Sequence, residues 1–171
     1  MHLIRKKFQR KGMLFFMLLL VFSVEAESMS LLFNPEEEVV VCSPMKGRIT
    51  FNGESVAGAK VERFLKWKDE IGETDNTITD ENGNFSLPII KDKVKLSKIS
   101  AFIMAQEIRV YFSGNTYPVW AKAKHDKGLY DELNGEPVNF TCELTDEFIT
   151  VDAGKGMLIT SCKWDSIKQK E

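Results

Sequence analysis

The chain has 171 residues, of which 23 are basic and 25 acidic, for a formal net charge of −2. That length fits one domain, and the absence of a basic stripe argues against nucleic acid as a partner. Two histidines and three cysteines leave little material for metal or triad chemistry.

The first residues, MHLIRKKFQRKG, carry Arg5, Lys6, Lys7, Arg10 and Lys11 and no acid. MLFFMLLLVFSV (Met13 to Val24) follows without a charge. A basic start, a short apolar run and small residues at Val24 and Ala26 describe a secretory signal peptide, residues 1–26, cut after Ala26. The run is shorter than the roughly 20 apolar residues of a membrane span. The expectation is a periplasmic or secreted protein with no stable membrane insertion after cleavage. Removing residues 1–26 takes away five basic residues and Glu25, which leaves 18 against 24 and a net charge of −6. Residues 27–38 read as a flexible leader, and 39–171 as the single folded domain.

Within the domain the pattern is short alternating runs separated by turn residues. VVVCSP (39–44) is a strand stopped by Pro44, and GRITF (47–51) is a second with Ile49 and Phe51 on one face. Asn52-Gly53 is a hairpin signal, because both positions of a tight primed turn need positive φ. In SVAGAKVERFLKW (55–67), Ala59, Val61 and Arg63 share a face opposite Lys60 and Glu62. KDEIGETDN (68–76) reads as a polar loop.

TITDENGNFSLP (77–88) offers two readings. Asp80, Asn82 and Asn84 are spaced like the start of a calcium loop, but such a loop needs glycine at its sixth position and glutamate at its twelfth. Phe85 and Lys91 stand there instead. A backbone corner is the better reading, with Asp80 bonding the chain two residues on, Gly83 supplying positive φ and Phe85 entering the core.

KLSKISAFIMA (95–105) is ambiguous between strand and helix. EIRVYF (107–112) and TYPVWAKAK (116–124) bracket a hairpin at Ser113-Gly114-Asn115, and HDKGLYDELNGEP (125–137) is polar. About eight short strands with regular turns and no sustained helical period predict an all-β, seven-to-eight-stranded antiparallel Greek-key sandwich.

VNFTCEL and MLITSCKW are strand-like and could place Cys142 opposite Cys162 across an antiparallel pair, a disulfide in an oxidising compartment. Cys42 is left as a buried thiol. A nucleophilic role for it needs a nearby base, and the one histidine beyond the leader is His125 in AKAKHDKG. No GxSxG, HExxH, P-loop or CxxC pattern occurs, so no catalytic residue, cofactor or metal is assigned. Tyr111, Tyr117 and Trp120 come from one predicted hairpin and form the candidate binding surface. The alternative is that they fill the core.

Two stretches together, KGRITFNGESVAGAKVER (46–63) and TDENGNFSLP (79–88), resemble the carboxypeptidase regulatory-like domains. Gly47, Gly53, Val56, Gly58, Ala59, Val61, Thr79, Asp80, Gly83 and Phe85 match that family's pattern, while Ser55 stands where proline is usual. The resemblance implies a prealbumin- or transthyretin-like sandwich. QEIRVYFSGNTYPVWAKAK (106–124), NFTCELTD (139–146) and the late cysteine are similar to a bacterial group of exported proteins of the DUF6795 type. That similarity supports the Cys142–Cys162 pair and implies no activity.

The function expected is therefore that of an exported, non-catalytic protein that binds another envelope or secreted protein. Two narrower versions are an immunity or inhibitor protein against a periplasmic enzyme and a carbohydrate-binding module, the second requiring Tyr117 and Trp120 to be exposed and coplanar. A hydrolase would need a polar cleft around His125. Oligomeric state is left open.

Overall fold

A computed structural model describes residues 36–67, 71–96 and 101–167. The expected signal peptide and the leader up to residue 35 lie outside the described residues. The described chain is all-β. Its strands are β1 (Glu37–Cys42), β2 (Met45–Phe51), β3 (Glu54–Ser55), β4 (Lys60–Trp67), β5 (Glu73–Ile78), β6 (Asn84–Leu87) and β7 (Ile90–Val94). They continue as β8 (Met104–Phe112), β9 (Asn115–Lys124), β10 (Thr141–Glu143), β11 (Ile149–Asp152), β12 (Met157–Thr160) and β13 (Cys162–Lys163). A short 3-10 helix, Asp131–Leu133, interrupts the segment between β9 and β10.

These form a six-stranded sheet in the order β11-β12-β9-β8-β4-β5, a five-stranded sheet built on β2, and the two-stranded pair β1-β7. One sandwich core lies between the first two. Val61, Ile108, Val110, Trp120 and Leu158 from the six-stranded sheet meet Ile49, Phe85, Leu87 and Cys142 from the other. A second apolar cluster joins Val39, Val41 and Cys42 of β1 to Leu65 of β4 and Met104 of β8.

The turns follow local backbone chemistry. Asn52 and Gly53 both have positive φ, 52° and 81°, and close a two-residue loop between β2 and β3. Ser113 and Gly114 do the same between β8 and β9. At the corner after β5, Asp80 Oδ1 accepts the N–H groups of Asn82 (2.9 Å) and Asn84 (2.8 Å), and Gly83 N–H donates to the Asp80 carbonyl. The Asn84 side-chain amide also donates to Asp80 Oδ2 (3.0 Å), and this bond first, with the N–H groups of Asn84 and Asn82, holds the Asp80 carboxyl below its ordinary value. Gly83 is at φ +77°, and a Cβ there would lie 2.6 Å from the Ile49 carbonyl oxygen. Phe85 enters the core beside Phe140. Gly47 is needed for space, since a Cβ there would lie 2.5 Å from the Phe140 carbonyl oxygen. Gly58, at φ +72°, turns the chain before β4.

The structure departs from the sequence reading in several places. Thirteen strands occur among the described residues against about eight expected: β7 and β11 were not expected, β3 is a two-residue pair, and MLITSCKW splits into β12 and the two-residue β13. The pairing of β10 with β2 is parallel, so the sandwich is not purely antiparallel. The polar run 68–76 is not all loop: β5 begins at Glu73 and pairs with β4. Of the ambiguous stretch 95–105, Met104 and Ala105 are strand, and residues 97–100 lie outside the described residues.

Candidate functional site

Cys142 and Cys162 are bonded and face each other in the β10-β13 pair, with Cα atoms 3.9 Å apart. They are not joined by a simple return. Between them the chain crosses to the six-stranded sheet, makes the β11-β12 hairpin, and comes back through Ser161. Thr160 manages the crossing: its hydroxyl donates to the Val119 carbonyl (2.7 Å) and accepts the Cys162 N–H (2.9 Å).

The aromatic surface expected from Tyr111, Tyr117 and Trp120 does not form. Trp120 is 2% exposed and packs on Phe140 and Trp164, with ring centroids 6.2 Å away in each case. The cause is a bulge. Ile108 pairs with Trp120 and Arg109 with Pro118, so Val119 is an extra residue and two consecutive side chains, Val119 and Trp120, turn inward. Tyr117 meets the edge of Phe51, and Tyr111 donates to Glu62 (2.8 Å) beneath the Lys60 ammonium. A carbohydrate platform of coplanar Tyr117 and Trp120 is thereby removed.

His125 is half-buried, and its ring lies against Gly156. The neighbouring Asp126 is paired with Lys155 at 2.6 Å, a contact that holds its carboxyl below the ordinary value. Cys42 lies within the second cluster. Burial pushes its thiol up to about 11, against the opposing pull of the Arg63 guanidinium.

Polar side chains line the inner face of the six-stranded sheet where β8 and β9 run past the 3-10 helix. Arg63, Gln106, Lys122 and Lys124 all point inward and are buried. Arg63 makes a two-point contact with Asp75 (2.9 and 2.6 Å). Gln106 donates to the Val41 carbonyl at 2.9 Å. Lys122 donates to the Ala153 carbonyl, and burial lowers its pKa. Glu132 accepts from Lys124, from the Ser43 N–H (2.7 Å) and from the Ser43 hydroxyl (2.9 Å). Each of these side chains has a protein partner, although Arg63 Nη1 and Gln106 Oε1 are buried without one, and Glu132 makes the layer a polar lock between the β1-β2 link, β9 and the 3-10 helix.

The concave site lies beside this layer. A cavity of about 200 Å³ opens where β1, β4, β7 and β8 meet the start of β5. Val41, Leu65, Ile90 and Met104 make its apolar floor, Trp67 stands at its side, and Glu73, Lys91 and Asp92 form its rim. Gly72 lets the chain pass the cavity at φ +90°, where a Cβ would collide with the Phe64 ring at 2.5 Å. Lys91 is held by Glu38 at 3.0 Å, which leaves the rim acidic on the Glu73 side. An apolar floor under charged edges suits an amphipathic group. The sequence reading did not anticipate this site, because its residues come from five separate stretches and two of them lie in or beside the run read as loop.

Among the described residues no helix is long and apolar enough to cross a membrane. No curated protein and no solved structure matches the chain. A family model, a domain of unknown function (DUF6795), matches residues 45–147. That stretch holds the corner at Asp80, the β8-β9 hairpin and nearly all of the cavity lining, and the chain belongs to the DUF6795 family.

Proposed function

We propose that the protein is an exported, non-catalytic binding module of the bacterial envelope, whose cavity receives part of another envelope or secreted protein. The observation that carries this reading is the cavity itself, with Val41, Leu65 and Met104 beneath a rim of Glu73, Lys91 and Asp92. Supporting the non-catalytic side, the Cys42 thiol is raised to about 11 and stays protonated at neutral pH. Supporting export, a basic-then-apolar leader precedes a domain that holds a disulfide, the bond of oxidising compartments. The kinship to carboxypeptidase regulatory-like, transthyretin-type sandwiches belongs to the same proposal. It rests on Gly47, Gly53, Gly58, Gly83 and Phe85, which sit at close approaches, positive-φ turns and the core.

Site-specific photocrosslinking tests the reading. A benzophenone side chain at Lys91, exposed on the cavity rim, should give a discrete adduct in periplasmic extract. The same group at exposed Lys66 should not. No adduct from Lys91, or equal adducts from both positions, would remove the cavity from the function.

A further inference from the structure

β5 is the last strand of the six-stranded sheet and, among the described residues, pairs only with β4. The Thr79 N–H donates to the Ala59 carbonyl, and the pairing of Ala59 with Thr79 continues the β4-β5 register. By alternation, Thr77, Asp75 and Glu73 also direct their backbone groups at β4. The N–H and C=O groups of Thr74, Asn76 and Ile78 therefore point out of the sheet. The edge runs six residues without proline, lysine or bulge, and its two charges, Glu73 and Asp75, lie on the inner face, Asp75 paired with Arg63. The other end of the sheet, β11, has only four residues. Two apolar side chains flank the β5 edge in the open, Ile71 (97% exposed) and Ile78 (56% exposed).

The open edge begins where the cavity begins, because Gly72 and Glu73 line it. Glu73 shares the inward parity of Asp75, which bonds buried Arg63. A residue set opposite Glu73 on an added strand therefore directs its side chain to the cavity side of the sheet. Glu73 and Asp92 put negative charge at that mouth, and Trp67 presents a ring. A lysine or arginine fits this combination, its stem running inward past Glu73 toward Leu65 and its cationic head at the rim carboxylates.

We propose that β5 is a docking edge, on which an extended peptide adds as a seventh strand with a basic side chain in the cavity. This rests on the cavity reading above and gives its partner a chemistry: backbone bonds supply affinity and the basic side chain supplies selection.

The test uses the mature protein and fluorescently labelled peptides of sequence TVTRTVT and TVTETVT, with a form of the first methylated at alternate backbone nitrogens. Binding is followed by anisotropy, and circular dichroism checks that each variant is folded. The arginine peptide should bind at least tenfold more tightly than the glutamate and methylated peptides. Asn76→Pro, which removes an outward N–H and no bond to β4, should weaken it at least tenfold. Glu73→Lys should reverse the preference between arginine and glutamate. No binding of the arginine peptide, or binding indifferent to both methylation and Asn76→Pro, overturns strand addition. If the Lys91 adduct then persists, the cavity reading stands without it; if that adduct is also absent, both fall.

Discussion

The Lys124 ammonium lies 2.5 Å from a carboxylate oxygen of Glu132, and neither side chain reaches solvent. Glu132 also accepts two bonds from Ser43, so one carboxylate ties the β1-β2 link, the end of β9 and the 3-10 helix together. Removing one partner of a buried pair leaves an uncompensated charge, at a cost of about 3–5 kcal/mol. Glu132→Ala should lower the free energy of urea unfolding by that amount, and Lys124→Met in the same chain should restore a large part of it. Equal midpoints for Glu132→Ala and the unchanged protein would show that the pair does not hold this end of the domain.

Glu143 is held by hydrogen bonds that favour its ionised form. Burial alone would raise its pKa, but the Thr145 hydroxyl and the N–H groups of Gly53 and Thr145 hold it at about 2. Asn52 N–H donates to the same carboxylate at 3.0 Å. A folded pKa below the ordinary 4.5 contributes stability that is complete above pH 4.5 and lost as pH falls toward 2. Urea midpoints at pH 7, 4 and 2.5 should fall through that window, and Glu143→Gln should flatten the fall. Parallel curves for the two proteins would assign the acid limit to other groups.

The disulfide closes a sequence separation of 20 residues. Cross-linking a loop of that size contributes about 3 kcal/mol on the loop-entropy model. A protein with Cys142→Ala and Cys162→Ala should lose about that much in urea unfolding, and reductant should lower the midpoint of the unchanged protein only. A variant as stable as its parent would mean that the β10-β13 pair is held by packing alone.

Cys42 supplies a chemical check. With its thiol held up to about 11 and its side chain buried, iodoacetamide at pH 8 should leave Cys42 unmodified in the native protein for hours. In denaturant it should react within minutes, as mass spectrometry would register. Rapid native labelling would contradict both its burial and the non-catalytic reading.

What the sequence made legible is what local chemistry decides. Asn52-Gly53, Ser113-Gly114 and the Asp80 corner are written in residues that tolerate positive φ or bond their own backbone. The inward Arg63 follows from alternation with Val61. The remainder depends on partners far along the chain. In WAKAK the alanines Ala121 and Ala123 face solvent while Lys122 and Lys124 are buried, the reverse of what polarity suggests. Glu132 and the carbonyls of Gly128 and Ala153 make that possible, and none of them is visible from β9. Trp120 stayed open between surface and core for the same reason, because a one-residue bulge opposite Ile108 leaves no mark in the letters. The cavity is the extreme case. Val41, Leu65, Gly72, Ile90 and Met104 become neighbours only when β1 and β7 cover the end of the six-stranded sheet.

The crossing at Ser161 has a mechanical consequence. The Cys142–Cys162 bond lies on one sheet, while the hairpin between those cysteines is woven into the other. Tension applied at the C-terminus passes into the covalent ring at Cys162 and leaves it toward Cys142, so it bypasses β11 and β12. The hairpin can detach from β9 only by peeling inside a closed loop, and unzipping that starts at the chain end halts at the bridge.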